Sequence, residues 1–148
     1  MMIGGQARVI EGSSKTGREK HKSWREGVTM AARDWLRENP QPPLSEPIRM
    51  TVDFLFPLPS SDAFRTRHIV KPDAGKCART TEDALVVGGL LKDDSFIFDT
   101  RITKRYAHGM ETTGATIRIW PCGADEEADR AMLKNVAKEA RKAAKVGA

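Results

Sequence analysis

One short stretch constrains the fold of this chain more than any other, because apolar side chains recur at every second position from residue 47 to residue 56. These apolar residues are Ile48, Met50, Val52, Phe54 and Phe56. A period of two predicts a β-strand, since neighbouring side chains of a strand point to opposite faces of its sheet. Pro57 and Pro59 end the strand, because proline donates no hydrogen bond to a sheet.

The rest of the chain adds helices and strands around this one. Residues 20–38 carry apolar side chains three and four positions apart, which predicts an amphipathic helix. Similar reasoning predicts helices over residues 76–87 and within residues 122–148, and strands over residues 7–11, 95–107 and 113–121. The order β-α-β-α-β-β-α predicts an α/β (α+β) fold, a mixed β-sheet with helices packed on it. The 148 residues suit a single domain over residues 1–148 that ends in a charged helix.

Composition indicates a class of partner and a compartment. The 25 Lys and Arg residues outnumber the 20 Asp and Glu residues, for a net charge of +5, which favours a polyanion such as nucleic acid. A basic protein that is merely soluble fits the charge equally well. Cys77 and Cys122 are too few for a disulfide framework or a zinc site, which indicates a reducing compartment. No apolar run approaches the roughly 20 residues of a membrane helix, so we expect a cytoplasmic protein.

Two acidic positions flank the second predicted helix. Asp73 lies just before it, and the pair Asp93-Asp94 follows it after a Gly88-Gly89 break. Taken alone, Asp73 is explained as a helix N-cap, and the pair as a solvated turn before a strand. Taken together, they suggest carboxylates that the intervening helix brings back to one place. Such hard oxygen ligands suit Mg²⁺.

Basic residues surround both acidic positions in the sequence and could hold a phosphate backbone. They are Arg65, Arg67, His68, Lys71, Lys76, Arg79, Arg101, Lys104 and Arg105. Lys76 and Arg79 share one helical face, and strand alternation places Lys104 on the opposite face from Arg101 and Arg105. A single run of this kind is usually a solvated surface, whereas three runs around one acidic cluster favour a nucleic-acid site.

Three segments together resemble RusA-type crossover junction endodeoxyribonucleases. They are KPDAGKCARTTEDAL at residues 71–85, GLLKDDSFI at residues 89–97, and the Lys104-Arg105 pair. The family pattern is K-P-D-x-D-N-L-x-K, then D-A-L, a glycine-containing turn, D-D-S/A-x-[VI], and a downstream K-R. The resemblance covers roughly residues 7–121, and the two acidic blocks at this separation are its specific part.

The resemblance implies a homodimer that cuts four-way DNA junctions with a divalent metal, Mg²⁺ or Mn²⁺ in its place. Asp73 and Asp94 fall on two of the family's catalytic, metal-binding aspartates, and Asp93 on the neighbouring acidic position. Arg79 falls on the family's functional lysine. The implied DNA-binding residues are Arg65, Arg67, Lys71, Lys76, Arg101, Lys104 and Arg105. Many such proteins are encoded by phages and prophages.

This sequence departs from the family pattern in several places. Gly75 stands where the family has its second catalytic aspartate, which should weaken metal binding. Asp83 could compensate in part, although a salt-bridge partner is the better expectation for it. Arg79 replaces a lysine and Lys76 an asparagine, and a planar guanidinium is not equivalent to an ammonium. The family's first strand normally precedes residues 7–11, so we expect that this chain starts late, through either a truly shorter N-terminus or a misplaced start codon.

Three alternative functions stay open at this stage. A relative that binds branched DNA without cutting it is favoured by Gly75. A nuclease for flaps, forks or replication intermediates would share the same backbone contacts. An unrelated small basic phage protein that binds another protein would place Asp73 and Asp94 far apart.

Several other residues have structural interpretations. We expect Trp24, Trp35, Met30 and Met50 in the core. Cys77 is expected to be a small buried residue rather than a nucleophile. His68 and His108 are expected on the surface or in loops, with His68 a weak candidate for a phosphate contact.

Overall fold

The computed structural model describes residues 7–9 and 17–147, and its elements follow the predicted order. The elements are β1 (Ala7–Val9), α1 (Gly17–Glu38), β2 (Ile48–Phe56), α2 (Ala74–Val87), a 3₁₀ turn (Asp94–Phe96), β3 (Ile97–Tyr106), β4 (Gly114–Pro121) and α3 (Gly123–Val146). Residues 10 and 11 of the first predicted strand lie outside the described residues. The predicted class, α+β with a mixed sheet, is confirmed.

The sheet has four strands in the order β1-β4-β2-β3. β2 runs parallel to β3 and antiparallel to β4, and β1 pairs with β4 at the edge. Val52 of β2 lies between Ile102 and Ile117 of its two neighbours. Because parallel neighbours need a crossover connection, α2 joins β2 to β3 across one face of the sheet.

That face carries the hydrophobic core. The alternating residues Ile48, Met50, Val52 and Phe54 are all buried, as the period of two predicts. Helices α1 and α2 pack together, and Trp24 of α1 donates its indole N–H to the hydroxyl of Thr81 on α2 at 3.0 Å. Met30 is an exception to the predicted core, since it is 61% exposed. It lies outside the apolar stripe of α1 and faces solvent.

The end of α2 comes unusually close to α1. A Cβ built on Gly88 would lie 2.7 Å from the Cβ of Ala32, so only glycine fits there without displacement. Gly89 follows with a φ of 82°, in the left-handed region that glycine adopts at low cost. The amides of Leu90 and Leu91 then donate to the carbonyl of Leu85. This turn sends the chain back along α2 toward Asp94.

The opposite face of the sheet is polar. Arg49 pairs with Asp99 at 2.8 Å, and Arg118 pairs with Asp53 at 2.9 Å. A cavity of about 750 Å³ lies at one end of this face, between the strands and the start of α3. Its lining includes Arg49, Asp99, Arg101, Trp120 and Asp125.

Helix α3 differs from α1 and α2. None of its residues is buried, so the prediction of helices packed on the sheet holds for α1 and α2 but not for α3. The described helices include none with the length and apolarity needed to cross a membrane.

Candidate active site

Asp73 occupies the N-cap position of α2, but its carboxylate is not used as a cap. Its backbone is extended, with φ −67° and ψ 145°, and its side chain makes no capping hydrogen bond. The side chain is 64% exposed and lies 4.0 Å from the ammonium of Lys76. The carboxylate is therefore accessible to a ligand, which a simple capping role would not require.

Lys104 connects β3 to the backbone just before Asp73. Its ammonium donates to the carbonyl of Val70 at 3.0 Å and to that of Pro72 at 2.6 Å. These bonds hold the segment from which α2 begins. Two of the three donors of this ammonium are already engaged, so its contribution here is to position Asp73.

The 3₁₀ turn places Asp94 against α2. Asp93 caps the turn by accepting a hydrogen bond from the backbone N–H of Ser95 at 2.8 Å. Hydrogen bonds from the side chain and backbone of Ser95 lower the pKa of Asp93. Asp93 thus fixes the turn, while the exposed side chain of Asp94 is the one whose charge acts on α2.

Glu82 is the neighbour of Asp94 that sequence analysis missed. It is half-buried on α2, and burial raises its pKa, followed by the negative charges of Asp94 and then Asp83. The guanidinium of Arg79 opposes that rise. A signal was available, since Glu82 follows Arg79 by three residues and so lies on the same side of the helix. The sequence pattern pointed instead to Asp83, the next residue, as a substitute carboxylate.

The donor set near Asp94 suits a hard cation. Mg²⁺ is usually held by one or two carboxylates together with waters and substrate phosphates, and Asp94 and Glu82 provide two carboxylates. Within the described part of the chain, no group of three or more His, Cys, Asp and Glu residues is arranged to hold a metal ion. Asp73 precedes Glu82 by nine residues, about 13 Å along a helix axis. The convergence of Asp73 with Asp94 therefore stays a prediction.

Gly75 leaves open space where the family pattern has an aspartate. It is the second residue of α2, and a Cβ built there would meet nothing within 4 Å. The first turn of α2 contains no acidic residue. The backbone could accept an aspartate at this position, so its absence is a feature of the sequence and not a steric requirement of the fold.

Several of the predicted DNA-binding cations are engaged within the protein. Arg65 lies 3.4 Å from Asp62. Arg105 donates to both carboxylate oxygens of Glu111, at 2.8 and 2.5 Å. Hydrogen bonding from Arg105 lowers the pKa of Glu111 to about 2 and raises that of Arg105. Both arginines are thus partly neutralised by local carboxylates.

Four of the predicted cations are exposed, and none of the four forms an ion pair within the part of the chain whose side chains are described. They are Arg67, Lys71, Arg79 and Arg101. Lys71 precedes Asp73 by two residues, and Arg79 lies further along α2, six residues after Asp73. Arg101 lies with Arg105 on the polar face, where it lines the cavity beside Trp120. The predicted basic surround is thus divided between two faces of the sheet.

His68 lies in the loop before α2, as expected, but it is buried there and not at the surface. It is 7% exposed, its ring stacks on Phe56 at 3.8 Å between centroids, and it meets Tyr106 at 5.1 Å. Burial, and next the charge of Lys104, lower the pKa of His68. The loop before α2 packs along β3, and the backbone N–H of His68 donates to the carbonyl of Lys104. Its place in this stack argues against a phosphate contact.

Comparison with known protein families finds one match that covers most of the described elements. A family model described as Endodeoxyribonuclease RusA matches residues 6–119, well over half of the chain. The match includes α2, the 3₁₀ turn and both acidic segments, whereas α3 lies beyond it. No curated protein matches the chain significantly.

Proposed function

Because this chain belongs to the RusA endodeoxyribonuclease family, we propose that it is a single-domain, metal-dependent nuclease that resolves four-way DNA junctions in recombination and repair. We further propose that it acts as a homodimer in the cytoplasm, which is the host's cytoplasm if a phage encodes it. A two-fold dimer would present two sites to the two strands that must be cut in a symmetric junction.

One observation carries the proposal: the 3₁₀ turn that begins with Asp94 contacts α2, the helix that carries Glu82 and Arg79. Carboxylates held close to one another repel, and a divalent cation would relieve that repulsion. An adjacent guanidinium suits a phosphate oxygen. Acidic and basic groups close together at the protein surface are the combination that metal-assisted phosphodiester hydrolysis requires.

Each residue has a distinct role in the proposed mechanism. Asp94 and Glu82, with Asp73 if it converges on them and Asp93 behind the turn, would hold Mg²⁺, or Mn²⁺ in its place. When bound, the metal supplies Lewis-acid activation of water and stabilises negative charge. Arg79 would bind the scissile phosphate and neutralise the charge that develops on it. Lys104 positions Asp73 through the carbonyl of Pro72.

The remaining basic residues would bind the DNA backbone. Lys71 and Lys76 lie beside the start of α2, whereas Arg101 lies on the polar face, the face that Arg67 shares through its bridge to Arg105. Contacts of this kind position a duplex without reading its sequence, as expected of a protein that selects branched structure. Arg65 and Arg105 would first have to exchange their carboxylate partners for phosphates.

Cleavage of a synthetic four-way junction in Mg²⁺ or Mn²⁺ tests this function. We expect Asp94→Asn to reduce the cleavage rate by more than about 100-fold, because loss of a group merely supporting a metal ligand already costs about that much. Junction binding, measured by gel shift without metal, should persist. Asp99→Asn on the polar face is the matched control and should leave the cleavage rate near that of wild type. Unaltered cleavage by Asp94→Asn would refute the assignment.

A second candidate function is binding of branched DNA without cleavage. Gly75 favours it, because the family aspartate is missing from an open position. Gly75→Asp decides between the two, since the added carboxylate meets no steric barrier. If the wild-type chain cuts, the substitution should raise its rate at limiting Mg²⁺. If only Gly75→Asp cuts, the natural chain is the binding protein.

A further inference from the structure

The surface left unexplained by the proposed function is α3. It has 24 residues, about 36 Å of helix, and buries none of them. It also lies outside the segment that matches the RusA family. Its three large apolar side chains near the middle are 57% (Met132), 62% (Leu133) and 58% (Val136) exposed.

These apolar residues lie on one side of the helix. Leu133 and Val136 are three residues apart, and Ala140 and Ala144 continue the same row at spacings of four. Met132 lies beside Val136 at the same spacing. A helix with such a row normally buries it against another element. Within the described residues, no other element covers it.

The charges of α3 have opposite signs at its two ends. Residues 125–130 hold four acidic residues and one basic residue, for a net charge of −3. Residues 138–145 hold four basic residues and one acidic residue, for a net charge of +3. None of these charged side chains takes part in an ion pair among the described residues.

The pattern is its own complement when one helix is reversed. With a two-fold axis between Lys134 and Asn135, each residue faces the residue whose number completes a sum of 269. Glu127 then lies level with Lys142 along the axis, and Arg130 level with Glu139, although these residues lie outside the apolar row itself. At the centre, Leu133 lies level with Val136 of the second copy. The acidic half of each helix therefore runs alongside the basic half of the other.

The side of the helix that carries the apolar row agrees with this arrangement. In the acidic half, that side presents Glu126 and Asp129, at helical spacing from Leu133. In a reversed copy, the small side chains of Ala140 and Ala144 lie opposite, and Arg141 and Lys145 flank them. Each carboxylate of the acidic half would therefore pack against an alanine of the second copy, and a cation of that copy would lie nearby to offset its charge.

We propose that α3 pairs antiparallel with α3 of a second copy of this chain. The inference rests on the homodimer in the proposed function, and it names the surface that forms it. Two helices in contact over most of their length would bury six large apolar side chains at the centre and match opposite charges at both ends. A parallel pair would instead oppose like charges at each end, so the antiparallel arrangement is the favoured one.

Charge reversal on the full-length chain tests the pairing without reference to DNA cleavage. One variant carries Glu126→Lys, Glu127→Lys and Asp129→Lys, and the other carries Lys138→Glu, Arg141→Glu and Lys142→Glu. By sedimentation equilibrium, each alone should raise the dimer dissociation constant at least about tenfold, because like charges face each other. Mixing the two variants should restore the dimer as a heterodimer. A general structural role for the helix would not produce that rescue.

Cross-linking tests the orientation. With a short bismaleimide, two Val136→Cys copies should cross-link efficiently, because they would lie about 4.5 Å apart along the axis. Two Ala144→Cys copies should not, because they would lie about 28 Å apart along the axis. The buried native thiols of Cys77 and Cys122 make the wild-type chain the blank.

Each alternative contact for α3 predicts a different experimental result, and each of these results would overturn the proposed pairing. A wild-type monomer at all concentrations, with α3 folded onto its own sheet, is one such result. Equal cross-linking at both positions would indicate a parallel pair. A basic-half variant that loses junction affinity without any change in mass, and without rescue on mixing, would make α3 a DNA contact. A dimer that survives both reversals would lie elsewhere and leave the nuclease assignment standing.

Discussion

Helices α2 and α3 are both rich in charge, yet the fold uses them in opposite ways. α2 buries Cys77, Thr81, Ala84 and Leu85 along one side and presents its charges on the other. α3 buries nothing and presents its charges all round, with opposite signs at its two ends. Helix α2 is therefore packed into the hydrophobic core, whereas α3 is exposed to solvent on all sides.

This difference between α2 and α3 indicates which helix can hold catalytic side chains in fixed positions. A side chain that must act on a scissile bond needs a backbone held by packing, and α2 has that support from α1 and β3. Arg79 and Glu82 therefore have defined positions relative to Asp94. A helix that meets only solvent is instead suited to contact another molecule, because none of its surface is already occupied.

The sharpest test of this contrast is the same substitution in both helices. Leu85→Ala in α2 should lower the free energy of unfolding by about 2–5 kcal/mol, since Leu85 is 1% exposed and the change leaves a cavity. Leu133→Ala in α3 should change it by less than about 0.5 kcal/mol in dilute protein, where copies are separated. Urea unfolding measures both. Equal losses would mean that α3 packs on its own domain after all.

A smaller effect is expected from the hydrogen bond that joins α2 to α1. Thr81→Val should cost about 1–3 kcal/mol, because it leaves the buried indole N–H of Trp24 without an acceptor. Thr80→Val is the matched control, since Thr80 also bonds to a carbonyl four residues back but contacts no tryptophan. Thermal unfolding monitored by tryptophan fluorescence measures the difference. Similar losses of stability in both variants would show that the hydrogen bond between Trp24 and Thr81 does not contribute specifically to the packing of α1 on α2.

The third prediction concerns pH and the buried histidine beside the start of α2. The pKa of His68 is lowered in the fold, mainly by burial, so the unfolded chain takes up a proton first as the pH falls below about 6.5. The free energy of unfolding should therefore fall between that pH and the lower pKa of the native state. His68→Phe should reduce this fall, and Lys134→Gln on α3 should not alter it. Urea midpoints measured from pH 7.5 to pH 5 provide the comparison.

The smallest expected effect comes from the helix starts. α3 has Asp125 and Glu126 in its first turn, whereas α2 has no acidic residue there. Gly75→Asp should raise the free energy of unfolding by about 0.3–1 kcal/mol through the helix dipole. Gly75→Asn provides nearly the same shape without the charge and should give less of that gain. A loss of stability in Gly75→Asp alone would mean that the start of α2 already carries excess negative charge.

Much of the architecture could be predicted from the sequence because periodicity reports burial directly. The alternation in β2 identified its buried face residue by residue, and the proline and glycine breaks identified the ends of α1 and α2. Met30 was assigned to the core from its residue type alone. Its position outside the stripe of α1 was the better guide to its exposure.

Contacts between distant segments were beyond this reasoning. His68 is buried because a loop without periodicity packs along β3, and nothing local in the sequence encodes that contact. Glu82 was missed because it is brought near Asp94 only by the chain reversal at Gly88-Gly89. The angle of that reversal determines which residue of α2 lies next to Asp94, and the sequence does not give that angle. The family pattern named Asp73 and Asp94 but did not point to Glu82.

The crossover that joins two parallel strands through α2 also determines when the molecule can become a nuclease. Asp73 enters at the start of the crossover and Asp94 leaves at its end, so their relation depends on β3 having docked against β2. Pairings between segments so distant in the chain form late in folding. If the proposed site is correct, a nascent or partly unfolded chain would carry every acidic residue of that site and still be unable to cut DNA.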